Sequence, residues 1–233
     1  MKVEIWSDVM CPFCYIGKRR FENALQQLSF RDEIEVEWKS FQLDPAMQYE
    51  PGKSIHQYLA ERKGFSVEKA KELNAQVTGM AAAEGLQYNF DKAVVANSFD
   101  AHRFSHLANK QGKGDAAEES LFKAYFTEGK NIADRDTLIQ LGIDIGLDGA
   151  TVKQVLESNA YAQEVKQDIA EAEAIGVRGV PFFVIDRKYA VSGAQSSEVF
   201  LQALNTSFSE WKKENNKFTT IQGEVCSTDG DCK

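Results

Sequence analysis

The sequence predicts an α/β fold whose sheet comes from the two ends of the chain, with an all-helical block inserted between them. Three observations lead there. Strand-like alternation occurs near the start, in KVEIW and EIEVEWKSFQL, and returns after Gly176 in VPFFVID and YAVSG. Helical periodicity fills nearly everything from Ser54 to Ala174. Strand, helix and strand follow one another in the first 40 residues, the order of a βαβ unit.

Val3 and Ile5 alternate with Lys2 and Glu4 ahead of Trp6, as in a short strand. From Pro12 the spacing changes, and Ile16, Phe21, Ala24, Leu25 and Leu28 form one apolar helical face. Ile34, Val36 and Trp38 then alternate with Glu33, Glu35 and Glu37, a half-buried strand. Pro45 and Pro51 punctuate the exit. Ser54 and Ser66 are expected N-caps, Gly64 and Gly85 expected helix stops. Further helices are expected at 98–110, 115–128, 135–146, 149–158 and 161–175, parted by the turn-rich KQGKGD, TEGKNIADRD and GLDGAT. LQYNFDKAVVANS reads as an extended connection. VPFFVID and YAVSG flank DRK as a hairpin, and Ser196 or Ser197 caps a last helix through Phe200, Leu204, Phe208 and Trp211. Residues 1–50 and 176–216 are thus expected to make one discontinuous thioredoxin-like domain, 51–175 its inserted helical domain, and 217–233 a tail.

Composition narrows the function. The 233 residues are 43% hydrophobic and 27% charged, ordinary for a globular protein. A net charge of −8 argues against non-specific nucleic-acid binding, which needs excess Lys and Arg. No apolar run approaches the length of a membrane span. Lys2 leads directly into VEIWSD, with no apolar h-region and no small-residue cleavage site, so the expected location is cytoplasmic. Four cysteines are too few for a disulfide-stapled scaffold, and in a reducing compartment a close pair points to catalysis, redox sensing or metal binding.

Cys11 and Cys14 stand where the first strand gives way to the first helix, in DVMCPFCYIG. The reactive form of cysteine is the thiolate, and the positive end of a helix dipole favours it. Pro12 fits the first helical turn, where a missing N–H costs nothing. Cys11 is therefore expected to be the attacking nucleophile and Cys14, one turn further in, the resolving thiol. A zinc half-site would need two further ligands, for which Cys226 and Cys232 are the only candidates, so no metal is expected. The reaction calls for no cofactor. Val180-Pro181 in GVRGVPFF precedes a strand, and a cis bond there would present the Val180 backbone to an extended substrate beside the cysteines.

SDVMCPFCYIGKRRF, NSFDAHRF, GVRGVPFFVI and VSGAQ together resemble the DsbA-like thiol–disulfide oxidoreductases, in particular their FrnE-type branch. The likeness spans residues 2–212 and implies a thioredoxin fold with an inserted helical domain. It also implies that Asn97 and His102 lie on a lid helix facing the groove, where His102 would stabilise the Cys11 thiolate or shuttle a proton. The alternative for Asn97 is a helix cap, and for His102 plain packing. Kappa-class glutathione transferases and 2-hydroxychromene-2-carboxylate isomerases share the layout but generally carry serine at the first cysteine position. Having both Cys11 and Cys14 favours redox chemistry. The expected partners are protein or peptide thiols and disulfides, with glutathione as a further candidate. A glutathione-dependent transferase or isomerase and a non-catalytic holdase are the alternatives. CSTDGDC departs from the family pattern: Cys226 and Cys232 read either as a second redox pair or as thiols that cross-link only in air.

Overall fold

Side-chain alternation along the first strand decides how the layers are built. In β1 (Lys2–Ser7), Val3 and Ile5 point to one face and Trp6 to the other, and all three are fully buried. A strand buried on both faces needs a helix on each. The computed structural model, which describes residues 1–215, supplies them.

After β1 come α1 (Pro12–Gln26) and β2 (Glu35–Ser40). Seven helices follow: α2 (Ile55–Lys63), α3 (Val67–Ala83), α4 (Phe99–Lys110), α5 (Gly114–Lys123), α6 (Arg135–Asp144), α7 (Gly149–Glu157) and α8 (Ala162–Ala174). The chain returns through β3 (Phe182–Ile185), β4 (Tyr189–Ser192) and α9 (Ser197–Asn215). The sheet order is β2-β1-β3-β4, with β1 parallel to β2 and antiparallel to β3. This is the thioredoxin-like α/β fold with a helical insertion that the sequence predicts. No described helix is long and apolar enough to cross a membrane.

The caps form as read. Ser54 and Gln57 make a reciprocal capping box, Ser66 accepts from the Lys69 N–H, and Gly64 ends α2 in the left-handed region. One helix departs from expectation. The segment expected as 115–128 is α5 followed by a π turn, Ala124–Glu128. There the Phe126 carbonyl accepts from the Asn89 N–H at 2.6 Å, a partner on the extended connection that local periodicity cannot reveal.

Two cores result. α1 and α9 pack Phe21, Ala24, Phe200 and Leu204 onto Val3, Ile5 and Phe183. The inserted helices gather around Phe104, Leu121, Phe122, Phe126 and Val152. α8, expected within the insertion, also covers the other sheet face by setting Ala172 against Trp6 and Val184. α1 serves both cores, because Tyr15 and Ile16 on its opposite side join the helical cluster. Its N-terminus is therefore held at the junction.

Candidate active site

β1 ends at Ser7, and the next residues turn tightly. The Cys11 N–H donates to the Asp8 carbonyl at 2.9 Å, and the Asp8 carboxylate accepts from the Met10 N–H (3.2 Å) and the Leu43 N–H (2.8 Å). Cys11 then occupies the N-cap of α1 in an extended conformation, with Pro12 in the first turn. No acidic residue lies in that turn to oppose the helix dipole. The Cys11 thiol donates to the Val180 carbonyl at 3.4 Å, and the Val180–Pro181 bond is cis. Cys14 lies deeper, its N–H donating to the Cys11 carbonyl at 3.0 Å.

Both thiols are free, Cys11 at 4% and Cys14 at 1% exposure. Burial pushes the Cys14 thiol well above the ordinary range, and the neighbouring Cys11 pushes it further. Cys14 is thus held as a neutral thiol beneath a residue at a helix N-terminus.

The surrounding elements clamp this arrangement. At Gly17 a methyl group would lie 2.9 Å from Pro181 Cγ, so only glycine lets α1 approach the Pro181 loop this closely. The Gly193 N–H donates to the Pro181 carbonyl at 2.8 Å. Arg20 bridges the Ala194 carbonyl (2.7 Å) and Glu84 (2.6 Å), and Tyr88 Oη donates to the Pro12 carbonyl at 2.7 Å. Ala194 of VSGAQ therefore lies against α1, joining motifs 174 residues apart.

A cleft of about 510 Å³ opens beside the cysteine turn. Met10, Pro12 and Phe13 form one wall, and Leu73, Val77 and Met80 of α3 line the cleft with them. Phe13, Leu43, Leu73 and Met80 are among the few large apolar side chains left exposed. Of the cleft's charged lining residues, Asp44 is bound to Arg62 and Tyr58, while Asp8 and Lys63 also line it.

Of the residues singled out from sequence, Cys11, Cys14, Val180 and Pro181 come together. Asn97 precedes Ser98, the N-cap of α4, and is not itself the cap: its Oδ1 accepts from the Phe99 N–H at 2.9 Å, while its amide donates to the Pro45 and Met47 carbonyls. His102 is buried and does not line the cleft; its Nε2 lies 3.7 Å from Asp8 Oδ1. Cys226 and Cys232 lie outside the described residues. Asp8 was missed. An acid three residues before a helix-start cysteine, just after an apolar strand, was the available signal. The cleft had none, since α3 reaches it from across the fold.

A family model described as the DSBA-like thioredoxin domain matches residues 2–205. The uncharacterized protein YwbO of Bacillus subtilis (strain 168) is 31% identical over 208 residues, spanning 87% of this chain and 95% of that protein. A probable DsbA oxidoreductase from Streptomyces coelicolor is similar in structure with a TM-score of 0.85 at 40% identity, covering 100% of this chain and 98% of that one. At 15% identity, a likeness of fold alone extends to the cytosolic disulfide reductase DsbM of Pseudomonas aeruginosa, with a TM-score of 0.62 over 92% of this chain and 98% of that one.

Proposed function

This chain belongs to the DSBA-like thioredoxin domain family, and we propose that it exchanges disulfides with protein or peptide substrates through Cys11 and Cys14. The observation that carries the reading is the asymmetry of the pair: Cys11 at a helix N-terminus against the Val180 carbonyl, Cys14 buried and protonated below it. The Cys11 thiolate attacks one sulfur of a substrate disulfide, and the other substrate sulfur leaves as a thiolate and takes up a proton. Cys14 then loses its proton and attacks Cys11 Sγ, releasing the second substrate thiolate. Two electrons have passed to the substrate, and a Cys11–Cys14 disulfide remains. Run backwards, the same steps oxidise a dithiol. An extended substrate segment would lie along the Val180 backbone, strand fashion.

The cleft supports an apolar peptide over glutathione as the preferred partner. Glutathione carries two carboxylates and an ammonium group, and the cleft offers mainly apolar wall, with Asp44 and Arg62 already paired and Lys63 the other cation lining it. The FrnE-type affiliation and a cytoplasmic setting belong to the same proposal.

Insulin reduction with and without Cys11→Ser tests it. We expect turnover by the wild type and none by the variant, while Cys14→Ser accumulates mixed disulfides that identify the substrates. Turnover surviving in Cys11→Ser overturns the assignment. Aggregation suppression without turnover in the wild type would point to a holdase, and glutathione conjugation without disulfide exchange to a transferase.

A further inference from the structure

Behind the cysteine turn sits a pair of ionisable groups that the exchange steps leave unused. Asp8 is 1% exposed and His102 2%. The Asp8 backbone and carboxylate together hold the turn, through the N–H groups of Cys11, Met10 and Leu43. His102 reaches the same carboxylate from α4, its Nε2 3.7 Å from Oδ1 and without a hydrogen-bond partner. That is an ion-pair distance, nearly an ångström longer than a charge-assisted hydrogen bond of about 2.7–2.9 Å.

The charges facing His102 come from three elements. Asp8 lies on the turn after β1, Glu118 on α5 and Asp168 on α8. Glu118 already accepts from Ser105 Oγ at 2.7 Å, and burial holds its carboxyl above the ordinary range. Asp168 is engaged by His106 (3.0 Å) and Lys39 (3.1 Å). Asp8 is thus the carboxylate that His102 approaches closely. Burial works against an imidazolium here, but Asp8 first, then Glu118 and Asp168, outweigh it and raise the His102 pKa above its usual value.

We propose that Asp8 and His102 form a buried ion pair which positions the Cys11 turn and neutralises the Asp8 charge beneath the attacking sulfur, making His102 a positioning residue. The inference rests on the thiol–disulfide reading of Cys11 and Cys14. An isolated buried carboxylate next to the turn would oppose a thiolate at Cys11 and offset the field of the helix N-terminus. Paired with an imidazolium, it keeps its grip on the Met10 and Leu43 N–H groups while its field is cancelled.

The test is the equilibrium of the protein with glutathione, measured from pH 6 to 8 for wild type, His102→Gln, Asp8→Asn and the double variant. His102→Gln leaves the Asp8 charge uncompensated, destabilises the thiolate and favours the disulfide form. The equilibrium constant for oxidation by glutathione disulfide should rise up to about tenfold in the pH window where wild-type Cys11 is ionised and His102 is still protonated, as expected for one unscreened charge nearby, and thiolate absorbance of the reduced protein locates that window. Below that window the reduced form is the thiol and the variants converge, and as pH rises through the raised His102 pKa the imidazole becomes neutral and they converge again. Asp8→Asn removes the anion, so the double variant should return to within about twofold of wild type. The absence of such a window, His102→Gln matching wild type within it, or a double variant equal to the product of the single effects, overturns the pair. Should His102→Gln not fold, Asp8→Asn decides the matter by losing, or keeping, the pH-dependent step of the wild type. A wild type that never equilibrates with glutathione or dithiol would instead refute the redox reading itself.

Discussion

Cys11 and Cys14 are one helical turn apart, yet their surroundings assign them opposite tasks. Cys11 sits where backbone N–H groups and the helix dipole converge, and Cys14 where burial penalises its charged form. Escape from the mixed disulfide requires the Cys14 thiolate, so that step should accelerate with pH, about tenfold per unit across pH 6–8. Stopped-flow release of a chromophoric thiol from a preformed Cys11 mixed disulfide would show it, and a flat profile would remove Cys14 from the step. The same shift has a stability consequence. A thiol whose folded pKa is raised leaves stability untouched below the unfolded value of about 8.5, and that stability is lost as pH rises from there toward the folded pKa. Reduced wild type should therefore lose about 1.4 kcal/mol per unit above pH 8.5 relative to Cys14→Ala, read from urea midpoints.

At the scale of the element, α1 does three things that depend on its facing two ways. It places Cys11 at its N-cap, sends Phe21 and Ala24 to the sheet, and sends Tyr15 and Ile16 to the inserted helices. Gly17 adds a fourth by letting the Pro181 loop close on the helix. Gly17→Ala should cost about 1–3 kcal/mol of stability through overpacking and push the loop away from Cys11, lowering exchange rates. Helix propensity alone predicts the reverse sign, a gain of up to about 1 kcal/mol, so thermal unfolding separates the two accounts.

Over the whole molecule, the insertion and the sheet are joined through polar as well as apolar contacts. The Asp168 carboxylate accepts from the Ser40 N–H (2.9 Å) on β2 and lies 3.0 Å from His106 on α4, with Lys39 at 3.1 Å. Burial opposes its charge, but His106, the Ser40 N–H and Lys39 hold its pKa below the usual carboxylate range. Its contribution is present above the unfolded pKa near 4 and lost as pH falls through the lower folded value. Asp168→Asn should cost about 3–5 kcal/mol at pH 7 and progressively less as pH falls through the lowered folded pKa, by urea denaturation. The cleft is likewise a product of the assembly. Met80→Glu should lower kcat/KM about tenfold for a peptide disulfide flanked by Leu or Phe and leave a small hydrophilic disulfide unaffected. Equal losses on both substrates would deny the cleft a part in recognition.

Local rules carry the elements, and they were legible. Period-two and period-3.6 patterns, the Ser54 and Ser66 caps and the DRK turn each depend on neighbours within a few residues, so the sequence alone determined the strands, most helices and the CxxC at a helix start. What it could not determine depends on partners distant in the sequence. The pairing of His102 with Asp8, the fit of Gly17 against Pro181 and the support of Asp168 at Ser40 have no local signature, because each residue type is equally at home on a solvated surface. The π turn after α5 and the second role of α8 against the sheet follow the same logic. Burial gives these groups their chemistry, and burial is decided only when distant segments pack and water leaves.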